Sequence, residues 1–288
     1  MNPMAIWIDG ALKGRDEATV SVFDHGLLYG DGVFEGIRIY SRRVFRLEQH
    51  LDRLYDSAKA IALEIPLDRA AMVDALRTTI KANEKENGYI RLIVTRGVGD
   101  LGLDPRKCPK ATIICIVDAI ALYPSDRYDK GLTAISAATP IHHRESVSPR
   151  IKSLNYLAHI LAKVEGIAAG VDEVIMLDPA GFVAEASGEN IFVVANGTVK
   201  TPPVYSGILL GVTRDAVLEL AREATYAVEE TPLSRYDLYT ADEVFLTGTA
   251  AEVIGMTKLD ARTIGAGVPG PVTKELAKRF KALATRGD

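Results

Sequence analysis

The segment Arg150-Ile151-Lys152-Ser153-Leu154-Asn155-Tyr156 places a lysine among apolar residues where a predicted strand meets a predicted helix. Burial disfavours the charged form of an amine, which lowers its pKa and makes it a better nucleophile. A solvated surface lysine is the ordinary alternative, and it is the commoner outcome for any single lysine. Lys152 is therefore a candidate catalytic residue that needs support from other segments.

Three other segments offer that support. Glu185-Ala186-Ser187-Gly188-Glu189-Asn190 holds a carboxylate in a strand whose alternation could aim it into a site. Gly211-Val212-Thr213-Arg214 opens a predicted helix, and helix N-termini bind anions through free N–H groups. Thr247-Gly248-Thr249-Ala250 follows a predicted strand and is small enough for backbone donors to approach a ligand. Their ordinary readings are a solvated acid, a helix capped by Thr213, and a tight loop.

A lysine amine, a lone carboxylate and two phosphate-binding loops are the parts that a pyridoxal-phosphate enzyme needs. In such an enzyme the lysine forms a Schiff base with the cofactor, and the carboxylate keeps the pyridine nitrogen protonated. We therefore expect pyridoxal 5'-phosphate as the cofactor. Arg53, on a predicted helix, would usually be solvated and becomes a candidate only if a phosphate has to be held.

Length and charge restrict the class of protein. The 288 residues, 48% of them hydrophobic, suffice for two domains or one large one. The formal net charge of -4 gives no basic footprint for nucleic acid. The N-terminus lacks a basic region and a cleavable apolar run, and the apolar stretch 111–123 is too short to span a bilayer. We expect a cytoplasmic protein that binds neither nucleic acid nor membrane.

The residues around three other motifs argue against a dinucleotide site, a metal site and a disulfide. Gly97-Val98-Gly99-Asp100-Leu101-Gly102 matches G-x-G-x-x-G, but the prolines that follow it oppose the helix that a dinucleotide fingerprint must open. The pair His142-His143 has no metal-ligand spacing with cysteine or acidic partners, so no metal is expected. Cys108 and Cys115 are interpreted as reduced thiols, because two cysteines form no disulfide framework.

Hydrophobic periodicity predicts a mixed α/β chain. Strands are predicted over 33–40, 89–96, 111–118, 131–138, 191–195 and 243–246, and helices over 47–61, 68–85, 154–169, 213–224 and 271–285. The polar, proline-marked stretch 123–130 predicts a linker. It would join a small N-terminal α/β domain, 1–122, to a larger C-terminal cofactor-binding domain, 131–288.

Together with residues 22–38, His50-Leu51-Asp52-Arg53-Leu54 and Tyr89-Ile90-Arg91, these segments resemble the branched-chain amino acid aminotransferases of fold type IV. The resemblance runs over nearly the whole chain. It implies the two-domain fold type IV architecture and pyridoxal 5'-phosphate. It also implies amino-group transfer between leucine, isoleucine or valine and 2-oxoglutarate by a ping-pong mechanism. The family likeness further implies a homo-oligomer, either a dimer or a dimer-based hexamer.

The resemblance gives each matching residue a role. Lys152 would be the catalytic Schiff-base lysine and proton shuttle. The cofactor-binding residues would be Lys152, Arg53, Tyr156, Glu185, Gly188, Leu209, Val212, Thr213 and Thr249. The substrate-binding residues would be Tyr29, Phe34, Gly36, Arg38, Tyr89, Arg91, Thr249 and Ala250. Of these, Tyr29 could come from the neighbouring subunit.

Three other functions stay open, two of them within the same group of enzymes. The same group contains D-amino acid aminotransferases and (R)-selective amine transaminases, although Glu35-Gly36-Ile37-Arg38 and Tyr89-Ile90-Arg91 favour the branched-chain pattern. A non-catalytic protein that binds pyridoxal phosphate or another metabolite would need the phosphate-binding residues only. The joint presence of Lys152 and Glu185 argues against it.

Overall fold

The computed structural model describes residues 4–286, and the chain divides into two compact units. Unit 1 contains the described residues up to Ile120 together with Ile151–Asn155. Unit 2 contains Ala121–Arg150 and Tyr156–Arg286. The predicted mixture of helices and strands is confirmed. Lys152 belongs to unit 1, although the chain on both sides of its short segment belongs to unit 2.

Unit 1 is built on a six-stranded antiparallel sheet in the order β2-β1-β6-β5-β3-β4. Its strands are β1 (Ala5–Ile8), β2 (Ala11–Gly14), β3 (Gly32–Tyr40), β4 (Arg43–Val44), β5 (Gly88–Thr95) and β6 (Thr112–Asp118). Its helices are α1 (His25–Tyr29), α2 (Leu47–Ala60) and α3 (Arg69–Asn83).

The core of unit 1 lies between one face of this sheet and the helices α2 and α3. Side chains of a strand alternate between its two faces, so Val33 and Ile37 of β3 point to the same side. They form one apolar cluster with Leu51 and Leu54 of α2 and Met72 of α3, and all five are fully buried. The opposite face of β3 and β5 is thereby left for other contacts.

The glycine-rich loop after β5 is hydrogen-bonded to α1 and to the segment just before it. The Gly99 N–H donates to the Phe23 carbonyl at 3.2 Å, and the Gly102 N–H donates to the Tyr29 hydroxyl at 2.9 Å. A single 3-10 turn at Pro105–Lys107 follows the loop. A dinucleotide fingerprint requires a helix at that place.

Unit 2 is built on a mixed sheet of nine strands. Its strands are β7 (Leu132–Ser136), β8 (Glu173–Leu177), β9 (Val183–Ala186), β10 (Asn190–Ala195), β11 (Thr198–Thr201), β12 (Ala227–Glu230), β13 (Glu243–Gly248), β14 (Glu252–Leu259) and β15 (Arg262–Thr263). Their order is β12-β11-β10-β13-β14-β7-β8-β9, with β15 paired to β14. The helices are α4 (Arg127–Lys130), α5 (Leu157–Ala168), α6 (Val212–Glu223), α7 (Arg235–Tyr239) and α8 (Pro271–Arg286).

The predicted linker, 123–130, is an ordered part of unit 2. It contains α4, and Tyr123 packs against the apolar cluster of that unit. A short helix lacks enough turns to show a periodic apolar face, which explains why the sequence pattern lapses here. The division into domains stays a prediction. Within residues 4–286, no helix combines the length and the apolar character needed to cross a bilayer.

Candidate active site

Backbone hydrogen bonds hold the Lys152 segment against the start of β3. The Phe34 N–H donates to the Lys152 carbonyl at 2.9 Å, and the Leu154 N–H donates to the Gly32 carbonyl at 3.0 Å. The Lys152 N–H donates to the Ser57 hydroxyl of α2 at 3.1 Å. Lys152 Nζ lies 4.5 Å from the centre of the Phe34 ring, within the range of a cation–π contact. The amine is thus presented on the Phe34 side of the sheet.

Five predicted substrate residues share that face. Phe34, Gly36 and Arg38 alternate along β3, and the register pairs Gly36 with Arg91 and Arg38 with Tyr89. The Arg91 guanidinium lies 4.5 Å from the centre of the Phe34 ring. A Cβ atom at position 36 would collide with the Tyr89 hydroxyl. Glycine at this position therefore makes room for Tyr89.

The sixth predicted substrate residue of unit 1, Tyr29, lies on α1. Its ring packs edge-on against His25 with 5.0 Å between ring centres, and its hydroxyl accepts the Gly102 N–H. The glycine-rich loop therefore positions this hydroxyl. A contribution of Tyr29 to a neighbouring subunit stays a prediction.

Arg53 is positioned by a buried carboxylate. Its Nε and one Nη donate to the two carboxylate oxygens of Glu35 at 2.7 and 2.8 Å, and Glu35 is fully buried. His50 Nδ1 lies 2.8 Å from Glu35 Oε2, and it must carry the hydrogen because an ionised carboxylate only accepts. Bidentate pairing fixes the plane of the guanidinium as well as its position.

The pKa values describe how this cluster is charged. Burial alone would raise the pKa of Glu35, but the charge and hydrogen bonds of Arg53, aided by His50, outweigh it and hold that pKa well below its usual range. Burial lowers the pKa of His50 despite the opposing effect of Glu35. The cluster is accordingly an ion pair of Glu35 and Arg53 with a neutral histidine as an additional donor.

In unit 2, Glu185 is buried and its orientation is fixed by two donors. The Leu209 N–H and the Asn190 side-chain amide each donate to Glu185 Oε2 at 3.0 Å. The same amide group donates to the Leu209 carbonyl at 2.9 Å. The structure thus brings together Glu185 and Leu209, two residues predicted to hold the cofactor ring.

The helix α6 begins next to this carboxylate. Its N-cap is Gly211, which has no side chain to cap the helix. Val212 and Thr213 are the first two residues of α6. A Cβ atom at position 211 would collide with the Asn190 side-chain oxygen. The ordinary reading, in which Thr213 is the N-cap, is therefore wrong. Helix geometry gives the first backbone N–H groups of α6 no partner within the helix, so they are suited to an external acceptor.

The remaining predicted cofactor residues lie in two loops and at the start of α5. Gly188 is exposed, and a Cβ atom built on it would meet nothing within 4 Å. Thr249 and Ala250 form the turn between β13 and β14. Tyr156 stacks on His159 with 4.7 Å between ring centres, and His159 Nδ1 lies 3.0 Å from the Ser187 carbonyl.

Comparison with known proteins decides the family. Residues 32–259 match the profile of the amino-transferase class IV family. The chain belongs to this family. A Methanocaldococcus jannaschii protein assigned as a branched-chain-amino-acid aminotransferase is 52% identical over 98% of this chain and 97% of its own length. The resemblance inferred from the sequence is thereby confirmed.

Solved structures of aminotransferases agree over the full length. The Escherichia coli branched-chain amino acid aminotransferase superposes with a TM-score of 0.96 at 35% identity, covering 99% of this chain and 95% of that one. The T.th. branched-chain enzyme, complexed with N-(5'-phosphopyridoxyl)-L-glutamate, gives 0.93 at 36% identity, covering 100% and 96%. Complexed with 4-methylvaleric acid, the same enzyme gives 0.93 at 36%, covering 99% and 95%.

The residues of this aminotransferase fit the cofactor that its family uses. The uncapped start of α6 suits a phosphate, and the fixed Glu185 carboxylate suits a protonated ring nitrogen. Thr247, opposite Asn190 in the sheet, has a buried hydroxyl with no hydrogen-bond partner among the described residues. Buried polar atoms are nearly always paired, so an acceptor or donor from a ligand is expected there.

Sequence reasoning missed the residues that orient this aminotransferase's candidate groups. Glu35 and His50 fix Arg53, and Asn190 fixes Glu185. One signal was available for Glu35, because it stands between Val33 and Ile37 on the apolar face of an alternating strand. A charged residue at such a position is buried only if it has a partner.

Proposed function

We propose that this chain transfers the amino group of leucine, isoleucine or valine to 2-oxoglutarate, with pyridoxal 5'-phosphate as cofactor. The observation that carries the proposal is the place of Lys152 Nζ, 4.5 Å from the Phe34 ring on the face shared with Tyr89 and Arg91. The names of the Escherichia coli and T.th. relatives support the branched-chain substrates. The phosphopyridoxyl-glutamate complex of the T.th. enzyme supports the cofactor and an acceptor of the glutamate type.

Lys152 is the acid and base of the reaction. When bound, pyridoxal phosphate supplies an electron sink for the charge left at the α carbon when its proton departs. Lys152 Nζ takes that proton and returns one before the product leaves. Water would release the donor as its 2-oxo acid, and the amino group would stay on the cofactor until 2-oxoglutarate takes it, so the first product leaves before the acceptor enters. The kinetics are therefore ping-pong.

The groups that we assign to the cofactor bind its ring or its phosphate. Glu185 keeps a proton on the pyridine nitrogen, because its carboxylate is held in place by two donors. The first N–H groups of α6, with the positive end of the helix dipole, bind phosphate oxygens. Arg53 adds a fixed positive charge, oriented by Glu35. Tyr156, Gly188, Leu209 and Thr249 complete the set.

The substrate side chain packs on the Phe34 face. Phe34 and Tyr89 offer aromatic surface, and the missing side chain at Gly36 lets the Tyr89 hydroxyl lie close over the strand. Arg91, stacked on Phe34, is the positive charge that we assign to a substrate carboxylate. A difference of one methylene is worth only about 1–3 kcal/mol in an apolar pocket, so leucine, isoleucine and valine are all accepted.

The test is a set of steady-state assays with three amino donors. L-leucine, D-alanine and (R)-1-phenylethylamine are offered with 2-oxoglutarate or pyruvate, and the carbonyl product of each donor is measured, a 2-oxo acid for the amino acids and acetophenone for the amine. We expect turnover of L-leucine and a loss of at least about 10³-fold in Lys152→Ala, with no such loss in the exposed control Lys274→Ala. Turnover of D-alanine or the (R)-amine without L-leucine would overturn the substrate assignment. Cofactor binding without turnover of any donor would favour a binding protein.

We also propose a cytoplasmic homo-oligomer. The free thiols of Cys108 and Cys115 support a reducing compartment. An apolar stripe on α5 supports self-association, since its members are half to two-thirds exposed: Leu157 66%, Ile160 57%, Leu161 50%, Val164 54% and Ile167 69%. Light scattering after gel filtration should give a dimer or a multiple of it. A monomer at micromolar concentration would contradict this proposal.

A further inference from the structure

Two acidic side chains that the proposed function does not use lie together in unit 2. Glu173 of β8 is 1% exposed, and Glu189, just before β10, is 5% exposed. The Tyr123 hydroxyl lies 2.7 Å from Glu173 Oε2 and 3.1 Å from Glu189 Oε1. Lys163 Nζ of α5 donates to Glu173 Oε2 at 2.6 Å. One ammonium therefore accompanies two buried carboxyl groups.

Counting hydrogens shows how the cluster is charged. A tyrosine hydroxyl has one hydrogen, and the shorter contact indicates that Tyr123 donates it to Glu173. The oxygen of Glu189 would then face the lone pairs of the Tyr123 hydroxyl, which is repulsive unless Glu189 carries a hydrogen of its own. A protonated Glu189 donates that hydrogen to Tyr123, and every contact in the cluster then has a donor and an acceptor.

The pKa values agree with this count. Burial and the neighbouring charge of Glu173 raise the pKa of Glu189 to about 8. Burial alone would raise the pKa of Glu173, but Lys163 and the backbone donors lower it from its ordinary value. Burial and the two acids raise the pKa of Tyr123, so the phenol stays protonated. The pair thus holds one proton at neutral pH.

Both carboxyl groups accept backbone hydrogen bonds from the loop between β9 and β10. The Gly188 N–H donates to Glu189 Oε2 and the Ser187 N–H donates to Glu173 Oε1, each at 3.2 Å. The side chain of Glu189 also lies close to the loop 247–250. A Cβ atom built on Gly248 would be 3.1 Å from Glu189 Cγ. The cluster therefore determines where the backbone at Ser187 and Gly188 sits.

We propose that Glu189 is a positioning residue whose protonated carboxyl fixes Ser187 and Gly188 for packing against the cofactor ring. The assignment of the ring rests on the proposed function. Glu189 itself does not act on the substrate. Loss of its proton places a second negative charge beside Glu173, and the Tyr123 hydroxyl can then serve only one of the two carboxylates. The loop loosens in consequence.

The titratable groups that face Glu189 come from three elements. They are Tyr123 from the segment before α4, Lys163 from α5 and Glu173 from β8. The loop 247–250 contributes threonine, glycine and alanine only. Burial and the two acids raise the pKa of Tyr123, and the pKa of Glu173 is lowered, so a transition near pH 8 that disappears in Glu189→Gln reports Glu189.

The first arm of the test needs no cofactor. A carboxyl whose folded-state pKa is raised stabilises the fold below its unfolded value of about 4.5, and this stabilisation is lost as pH rises to about 8. Between pH 5 and 8.5, the melting temperature of the wild type should fall relative to Glu189→Gln by roughly 5 °C. The exposed control Glu223→Gln should follow the wild type. A constant difference between the wild type and Glu189→Gln would overturn the proposal.

The second arm measures the dissociation constant of pyridoxal phosphate by absorbance titration. Between pH 7 and 9.5, affinity in the wild type and in Glu223→Gln should fall about tenfold more than in Glu189→Gln. Glu189→Ala should bind weakly at both pH values, because it lacks the donor and the acceptor. If the affinity for pyridoxal phosphate fell equally with pH in all variants, the positioning role of Glu189 would be overturned. Absence of cofactor binding in every variant would instead remove the proposed function, while the melting data still report the proton.

Discussion

Two buried acidic clusters, one in each unit, use the same residue type in opposite states of charge. In unit 1, Glu35 faces the permanent cation of Arg53 and the donor His50, so its pKa is depressed. In unit 2, Glu189 shares one hydroxyl with a second acid, and its pKa rises to about 8. Burial opposes ionisation in both places, and the number of nearby cations decides the outcome.

The two clusters represent different ways of fixing a group to which we assign a ligand. Glu35 orients Arg53 through an ion pair, which is strong but leaves an uncompensated buried charge if one partner is lost. The Glu189 cluster orients backbone amides through a shared proton, which can be removed by pH alone. The Glu35–Arg53 ion pair does not change its charge near neutral pH, whereas the Glu189 cluster loses its proton above neutral pH.

The largest effect should follow loss of the carboxylate in unit 1. Glu35→Ala leaves Arg53 and His50 without their buried partner, and breaking a buried pair in this way costs about 3–5 kcal/mol. Urea denaturation measures the change in the free energy of unfolding. Glu223→Gln on the surface of α6 is the control and should change it by less than about 0.5 kcal/mol. If Glu35→Ala lowered the free energy of unfolding by less than about 1 kcal/mol, the ion pair between Glu35 and Arg53 would be weak.

The Glu35 carboxylate should also account for most of the loss of folding stability at low pH. A group with a depressed folded-state pKa stabilises the fold above its unfolded value of about 4.5, and this is lost as pH falls through the folded pKa. Stability of the wild type should therefore decline below about pH 4.5 more steeply than that of Glu35→Ala. Urea midpoints between pH 3 and 7 give this slope, and identical slopes would contradict the ion pair.

A smaller effect is expected from Glu173→Gln. The change leaves the partly exposed Lys163 without its partner, but it also relieves the crowding of two acids, so we expect a loss of about 2 kcal/mol. With only one acid left, the pKa of Glu189 should also fall, which would flatten the dependence of melting temperature on pH above pH 6. An unaltered pH dependence in Glu173→Gln would mean that the two carboxyls are not coupled.

The smallest effect is expected from Tyr123→Phe, which keeps the ring in the apolar cluster and removes one hydroxyl. Loss of a buried hydrogen bond of this kind costs about 1 kcal/mol. Urea denaturation at pH 7 measures it. A cost equal to that of Glu35→Ala would show that the shared proton stabilises the fold as strongly as the ion pair does.

Much of the fold could be predicted from the sequence because periodicity is local. Helices such as α3 and α6 and strands such as β3 and β13 lie within a few residues of their predicted positions. The short helix α4 could not be predicted, since one turn has no periodic face. Neither could β12 or β14, whose pairing depends on residues far away in the chain.

The candidate site was predictable only through its motifs. Segments around Lys152 and Glu185 carry a recognisable order of residues, and the family they indicated is confirmed. The partners that orient them are set by contacts across the sheet and between elements. Asn190 meets Leu209, and Glu35 meets Arg53, at separations that no spacing rule in a single sequence reveals.

Chemical trapping of the cofactor on the full chain identifies the lysine that reacts. The protein is loaded with pyridoxal 5'-phosphate, reduced with borohydride and digested, and the modified peptide is located by mass spectrometry. We expect a phosphopyridoxyl group on Lys152, and none in Lys152→Ala under the same conditions. Modification centred on another lysine, such as Lys163, or no stable modification at all, would show that Lys152 is not the reacting lysine.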